Sequence, residues 1–209
     1  MADVGRAARL RVQRLLLIAR HGVELLERKQ RIVAAEHERL LLRADDLQVA
    51  WERAAAEART WADRAAAIDG WPALAAAGPP SGALVRVETG QVMGVEFPSH
   101  AAVEVPGRPR TGGSSALAHA GSAMAEAVEA AVAYAAVRRA AASVHAELVA
   151  TRTRRRAVEH RWIPDLEEDL ARIERALDEL EREENLRVRW AAGARGGGSP
   201  GGDRERTAS

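Results

Sequence analysis

The 209 residues carry 31 basic against 30 acidic side chains and only 3% aromatics, so there is no overall electrostatic case for nucleic acid and little material for a large globular core. The absence of cysteine excludes disulfides, thiolate metal sites and thiol nucleophiles and fits a reducing compartment. The apolar run Leu15 to Ala19, between Arg14 and Arg20, is too short for a membrane span or a signal-peptide core, so a soluble, cytoplasmic chain without direct membrane insertion is expected.

The first predicted element is a helix from about Gly5 to Ile68. Val12, Leu16, Ala19, Val23, Leu26, Gln30, Val33, His37, Leu40, Ala44, Leu47, Trp51, Ala54, Ala58, Trp61, Ala65 and Ile68 alternate steps of four and three without a miss. A repeat this strict imposes a left-handed supercoil on a partner helix. From Val12 to Ile68 the helix would run on the order of 85 Å. Gly22 is tolerable inside it at about 1 kcal/mol. Asp69-Gly70-Trp71-Pro72 ends it, and a short Ala-rich piece leads to the breaker Gly78-Pro79-Pro80.

Here the period changes to two. Leu84, Arg86 and Glu88 alternate with Val85 and Val87, and Val92, Met93, Val95 and Phe97 predict a return strand after a turn at Thr89-Gly90, closed by Pro98. The hairpin occupies about 83–97, with Ala101 to Val105 as a third extended piece and Pro106 to Gly113 as a loop. Ser114 or Ser115 caps a short helix, and a separate helix starts near Ser122, whose hydroxyl suits an N-cap.

That second arm repeats the rhythm: Ala123, Ala127, Ala130, Tyr134, Val137, Ala141, Val144, Leu148, Thr151, Arg155, Val158 and Trp162. Leu166 and Leu170 follow at two successive steps of four before Ile173, Leu177 and Leu180 resume the pattern. Such a stutter locally unwinds the supercoil, and Pro164 should kink the axis there. Glu168 with Arg172 and Asp178 with Arg182 are spaced to pair along the helix. The expected organisation is a mainly α fold: a long antiparallel two-helix coiled coil of the segments 1–69 and 121–192, an insert 70–120 with a β-hairpin and short helices, and a disordered tail 193–209. In the antiparallel register, Leu26 should lie across the seam near Pro164 or Leu166.

No catalytic constellation stands out, and no cofactor or metal site is expected. His21, His37, His100, His119, His145 and His160 never approach a metal-ligand spacing, and the glycine pairs lack the Lys and Ser/Thr of a phosphate loop. Glu167, Glu168 and Asp169 read as a solvated helix face. Arg152, Arg154, Arg155 and Arg156 form the densest basic cluster, which either meets phosphate or an acidic protein surface or simply solvates a thin rod. Trp51 and Trp61 fall on the seam as packing residues, while Trp71 and Trp162 lie beside breaks where a partner could use them.

Three segments resemble the D subunit of the V-type and archaeal-type rotary ATPases. In the second arm, Thr151, Arg154, Ala157, Glu159, Ile163 and Pro164, then Leu177, Asp178, Glu179, Glu181, Arg182, Glu183 and Glu184, follow the family's T-x-R-R-V-N-A-L-E-x-x-x-I-P and L-D-E-x-E-R-E-E runs. Ala19, Gly22, Leu25, Leu26 and Lys29 resemble its A-x-x-G-x-x-L-L-x-x-K; Val92-Met93-Gly94-Val95 with Pro98 resembles its I-M-G-V-x-x-P. Arg155 and Arg156 replace the family's Val-Asn pair, and Arg31 stands where an acidic residue is common.

The resemblance implies a non-catalytic central shaft that transmits torque between a catalytic hexamer and a membrane ion-translocating ring, peripheral to the membrane. It implies ring contacts at Gly22, Leu25, Leu26, Lys29, Arg154, Glu159, Ile163, Pro164, Glu181 and Arg182. It also implies contacts to the small F subunit of the rotor, or at the insert end, through Val85, Val87, Val92, Met93, Gly94, Val95 and Phe97. A funnel subunit linking to the membrane ring is the third partner. The alternative is another antiparallel coiled-coil stalk, such as that of the flagellar export ATPase, which predicts little or no strand insert.

Overall fold

The computed structural model describes residues 5–79, 81–104 and 112–196. Helix α1 spans Arg6–Asp69 and α2 Trp71–Ala76; strands β1 (Leu84–Val92) and β2 (Val95–Glu104) follow, then α3 (Ser115–Ala157), a π-turn (Val158–Trp162) and α4 (Ile163–Gly196). The chain divides into two compact units, Met1–Glu24 with Arg156–Ser209, and Leu25–Arg155.

In the Leu25–Arg155 unit, α1 and α3 run antiparallel. Cross-helix contacts climb one helix as they descend the other: Arg155 to Glu27 at 2.9 Å, Lys29 to Glu147 at 2.6 Å, Tyr134 to Gln48 at 3.1 Å, and Trp61 stacked on His119 with centroids 4.5 Å apart. The seam is built as the heptads require. Val33, Leu40, Ala44, Val137, Ala141, Val144 and Leu148 are buried in one cluster, and Trp51 stacks on Tyr134. At the connecting end Ala65 packs with Ala116, Leu117 and Ala120, and Leu74 and Ala77 close over them. Ile68 is left 67% exposed, against expectation.

That end is clasped by Asp69. Its carboxylate accepts from the Ser114 backbone N–H at 3.3 Å and from the Ser114 hydroxyl, while Ser114 Oγ caps α3 by accepting from Leu117 N–H at 3.2 Å. Helix α3 is therefore continuous from Ser115. Ser122 lies inside it, and its hydroxyl donates to the Ala118 carbonyl at 3.3 Å instead of capping a separate helix. The earlier start also corrects the register, since each later residue of the second arm pairs nearer the start of α1. Leu166 lies against Leu16 and Ala19, not Leu26.

The hairpin differs from its predicted form. The turn falls at Met93-Gly94, where φ is 47° and 83°, the pair of positive values a two-residue I′ turn needs. Thr89-Gly90 is strand. Residues 101–104 complete β2 and form no third piece, while the predicted loop 106–113 lies mostly outside the described residues. Pairing jumps from Glu88 opposite His100 to Thr89 opposite Pro98, leaving Ser99 as the extra residue of a bulge, its hydroxyl donating to the Glu88 carbonyl at 3.2 Å. In a sheet of two strands both are edges, so Pro98 is tolerated there.

In the other unit, the first turns of α1 run antiparallel to α4. Arg6 reaches Glu181 at 3.5 Å, Arg9 reaches Glu174 at 3.0 Å and Arg20 reaches Glu167 at 2.8 Å. Leu16, Ala19 and Leu166 are buried, with Val12, Leu15, Val158, Ile163 and Leu170 packed around them. Arg172 and Arg182 pair with Asp169 and Glu179 at a spacing of three, one residue along from the partners Glu168 and Asp178 expected at a spacing of four. Helix α4 continues past Ala192 to Gly196, and the rest of the predicted tail lies outside the described residues.

Candidate functional site

The hairpin has two chemically distinct faces. Alternation along β1 puts Val85 and Val87 on one face and Gly90 and Val92 on the other, and the register sets Val103 and Ala101 opposite the first pair and Phe97 and Val95 opposite the second. Phe97 is buried in the α1–α3 cluster, with Val92 and Val95 packed against it. Gly90 lets the strands approach closely at the bulge, because a Cβ there would crowd Ser99 Cβ at 3.0 Å, while it would meet the Phe97 ring only in ordinary contact at 3.7 Å. The outward face keeps Val85 and Val87 at 43% and 53% exposure, and Met93 at the turn is 43% exposed. Of the seven insert residues named from sequence, Val92, Val95 and Phe97 thus hold the hairpin to the helices and Gly94 makes the turn, while Val85, Val87 and Met93 are open to a partner.

A second group lies within the α1–α3 seam. Lys29, Glu147 and Thr151 form a chain: Lys29 Nζ donates to Glu147 Oε1, which also accepts from the Thr151 hydroxyl at 3.3 Å. Thr151 is fully buried, and its hydroxyl is satisfied within the seam. Arg155, a seam position, turns its guanidinium to Glu27. Next along the seam His37 and His145 lie with ring centroids 5.0 Å apart. Arg152, Arg154 and Arg156 are exposed, as is Leu25; Leu26 is half-buried, and a Cβ on Gly22 would meet nothing within 4 Å. In the other unit Ile163 is in the seam with Pro164 half-buried beside it, Glu159 is half-buried, and Glu181 and Arg182 are exposed.

These seam charges make the helix pair acid-sensitive. Burial holds the His37 imidazole below its ordinary 6.5, with His145 and Arg152 adding to the effect. The hydrogen bond from Lys29 is the main force holding the Glu147 carboxyl below its ordinary 4.5, against the opposing pull of burial; the Lys29 charge, the Thr151 hydroxyl and Arg154 add to it. Both folded-state values are depressed, so the unfolded chain binds more protons, and stability present above each ordinary value is lost as pH falls from that value through the lower folded-state one. Urea midpoints should decline first below 6.5 and again below 4.5. His37→Gln should flatten the first decline and leave the second.

Among the described residues no group of three or more His, Asp or Glu is placed to hold a metal ion, and no helix is long and apolar enough to cross a membrane. A shallow, open groove in the smaller helix pair is lined by Arg6, Arg9, Glu174, Asp178 and Glu181 with Leu10, Gln13 and Leu177. Its charges are largely engaged with one another across the groove.

Helix pairs with heptad seams, carrying a two-stranded insert that is packed on one face and open on the other, define a coiled-coil protein that works through its surfaces. Residues 8–193 match the family model for the D subunit of ATP synthase, and the chain belongs to that family. It is the central-shaft component of a V/A-type rotary ATPase, a non-catalytic part of that complex. The strand insert is the feature the export-stalk alternative lacked. No curated protein sequence matches the chain.

Proposed function

We propose that the ends of α1 and α4 that carry the termini enter the central cavity of the catalytic hexamer, and that the insert end faces the membrane rotor. The observation that carries this reading is the apolar surface left on those ends: Leu10, Leu17 and Ile18 on α1, and Leu186, Val188 and Trp190 on α4, are all more than half exposed. Apolar side chains so displayed call for an apolar sleeve. Leu25 continues the α1 stripe, and Glu181, Arg182 and Arg154 supply charges to the rim of such a contact. Lys29 acts indirectly, by fixing the seam through Glu147.

A shaft with different residues on each side presents a different surface to each member of the catalytic ring. Each is biased toward a different conformation, so rotation cycles their nucleotide affinities. On the insert, the open face around Val85, Val87 and Met93 takes the small F subunit of the rotor, and the region of Ile68 and Trp71, both exposed, rests on the funnel subunit. The protein then lies on the cytoplasmic side, peripheral to the membrane.

Purification of the ATPase from native membranes through a tag on this chain tests the assignment. One copy per catalytic hexamer is expected, together with the small rotor partner. Recovery without catalytic subunits, or in equal numbers with them, would overturn it.

A further inference from the structure

The second arm is an unbroken heptad series with one residue too many. Its seam runs Val144, Leu148, Thr151, Arg155, Val158, then Ile163, Leu166, Leu170, Ile173 and Leu177. Remove one residue between Val158 and Ile163 and the steps alternate four and three throughout. The structure stores the excess in the five-residue π-turn Val158–Trp162, where the Ile163 N–H donates to the Val158 carbonyl. That wide turn evicts the residue the spacing predicts for the seam: Trp162 is 42% exposed, while Ile163 packs with Leu16, Ala19 and Leu166. The expected proline kink is thus a π-turn. Its position follows from Pro164, which has no N–H to give and whose ring would clash with the His160 carbonyl in a regular α-turn.

The same sequence has a second way to close this seam. With Trp162 inside, Val158, Trp162, Leu166 and Leu170 follow one another at steps of four, and with the step of three on either side they span eighteen residues in five steps, about 3.6 residues per turn, the period of a straight helix. Residues on either side, Val158 and Leu166, keep their places in both arrangements. Only the occupant changes, Ile163 for Trp162. The two arrangements differ in supercoil: heptads with a π-turn keep the left-handed winding, and the 3.6-residue spacing unwinds it locally.

We propose that this segment is a two-state seam, with Ile163 and Trp162 as alternative occupants, and that torsion on the helix pair selects between them. Twist that unwinds the left-handed supercoil favours Trp162 inside; twist that tightens it favours Ile163. A packed seam with two discrete fillings yields to torque by switching, where a uniform heptad would only strain. The use of this switch under load rests on the shaft reading given above, but the seam itself does not.

The full-length chain with Trp162 as its only tryptophan, the other four replaced by Phe, reports the occupant through emission and iodide quenching. Pro164→Ala removes the steric reason for the π-turn while favouring helix, so it is expected to fold, to shift emission to the blue and to lower quenching severalfold. Ile163→Gln should do the same by making the present occupant costly. Quenching unchanged from the parent in Pro164→Ala, whether or not Ile163→Gln folds, would overturn the two-state seam. In the assembled ATPase, Trp162 quenching should differ between resting and ATP-hydrolysing enzyme. Equal quenching there, with the isolated chain responding as expected, would overturn the torsional role alone.

Discussion

Val144→Asp should cost about 4 kcal/mol or more, the range reached when an unpaired charge is placed in a sealed core. Val144 has no exposed surface and sits in the cluster where α1, α3 and the hairpin meet. A carboxylate there would be surrounded by apolar side chains, and net stabilities of whole domains are only about 5–15 kcal/mol. Thermal unfolding followed by helix circular dichroism should show most of the transition lost at room temperature. Val49→Asp supplies the control, with the same change of chemistry on the same helix pair at a site 67% exposed; it should shift stability by no more than about 0.5 kcal/mol. Equal losses at both positions would mean that the heptad seam is not what holds this unit together.

The seam was the most legible part of the sequence because a heptad repeat is a statement about burial. From Val12 to Ala65 every predicted position of α1 is buried or half-buried. The reading failed where burial is decided by something other than the repeat. Ile68 is exposed because α2 closes the end of the seam with Leu74 and Ala77. Trp162 is exposed because a π-turn absorbs an extra residue, and hydrophobic spacing alone does not distinguish a delocalised stutter from a local bulge. Ala140, fully buried though outside the predicted series, is covered where Phe97 brings the hairpin onto the helices.

Local hydrogen bonds account for the other departures. Ser114 and Ser122 are equally good caps on residue type, and the choice was made by Asp69, distant in sequence. The hairpin turn moved from Thr89-Gly90 to Met93-Gly94 because a bulge at Ser99 let pairing continue past Gly90. A Gly beneath a large aromatic, such as Gly90 opposite Phe97, signals close approach as readily as a turn. The seam chain Lys29–Glu147–Thr151 was missed as a unit, since residues from two distant helices become neighbours only once the register is fixed.

The two faces of the hairpin should separate binding from folding. Val85→Asp with Val87→Asp places two charges on the open face, where neither side chain supports the helix pair, so the unfolding transition should stay within about 0.5 kcal/mol of the parent. Binding to the small rotor subunit proposed to dock on this face, measured by calorimetry, should weaken at least about tenfold, or about 1.4 kcal/mol, because an apolar contact centre would now have to desolvate two carboxylates. Phe97→Ala should behave in the opposite sense. Its ring is buried against the helices, so truncation should cost about 3–5 kcal/mol of stability, and binding should fall only as far as the hairpin loses its seat. If Phe97→Ala abolished binding while leaving unfolding unchanged, the partner would be reading the face now packed on the helices, and the hairpin would have to lift from α1 and α3 to be recognised.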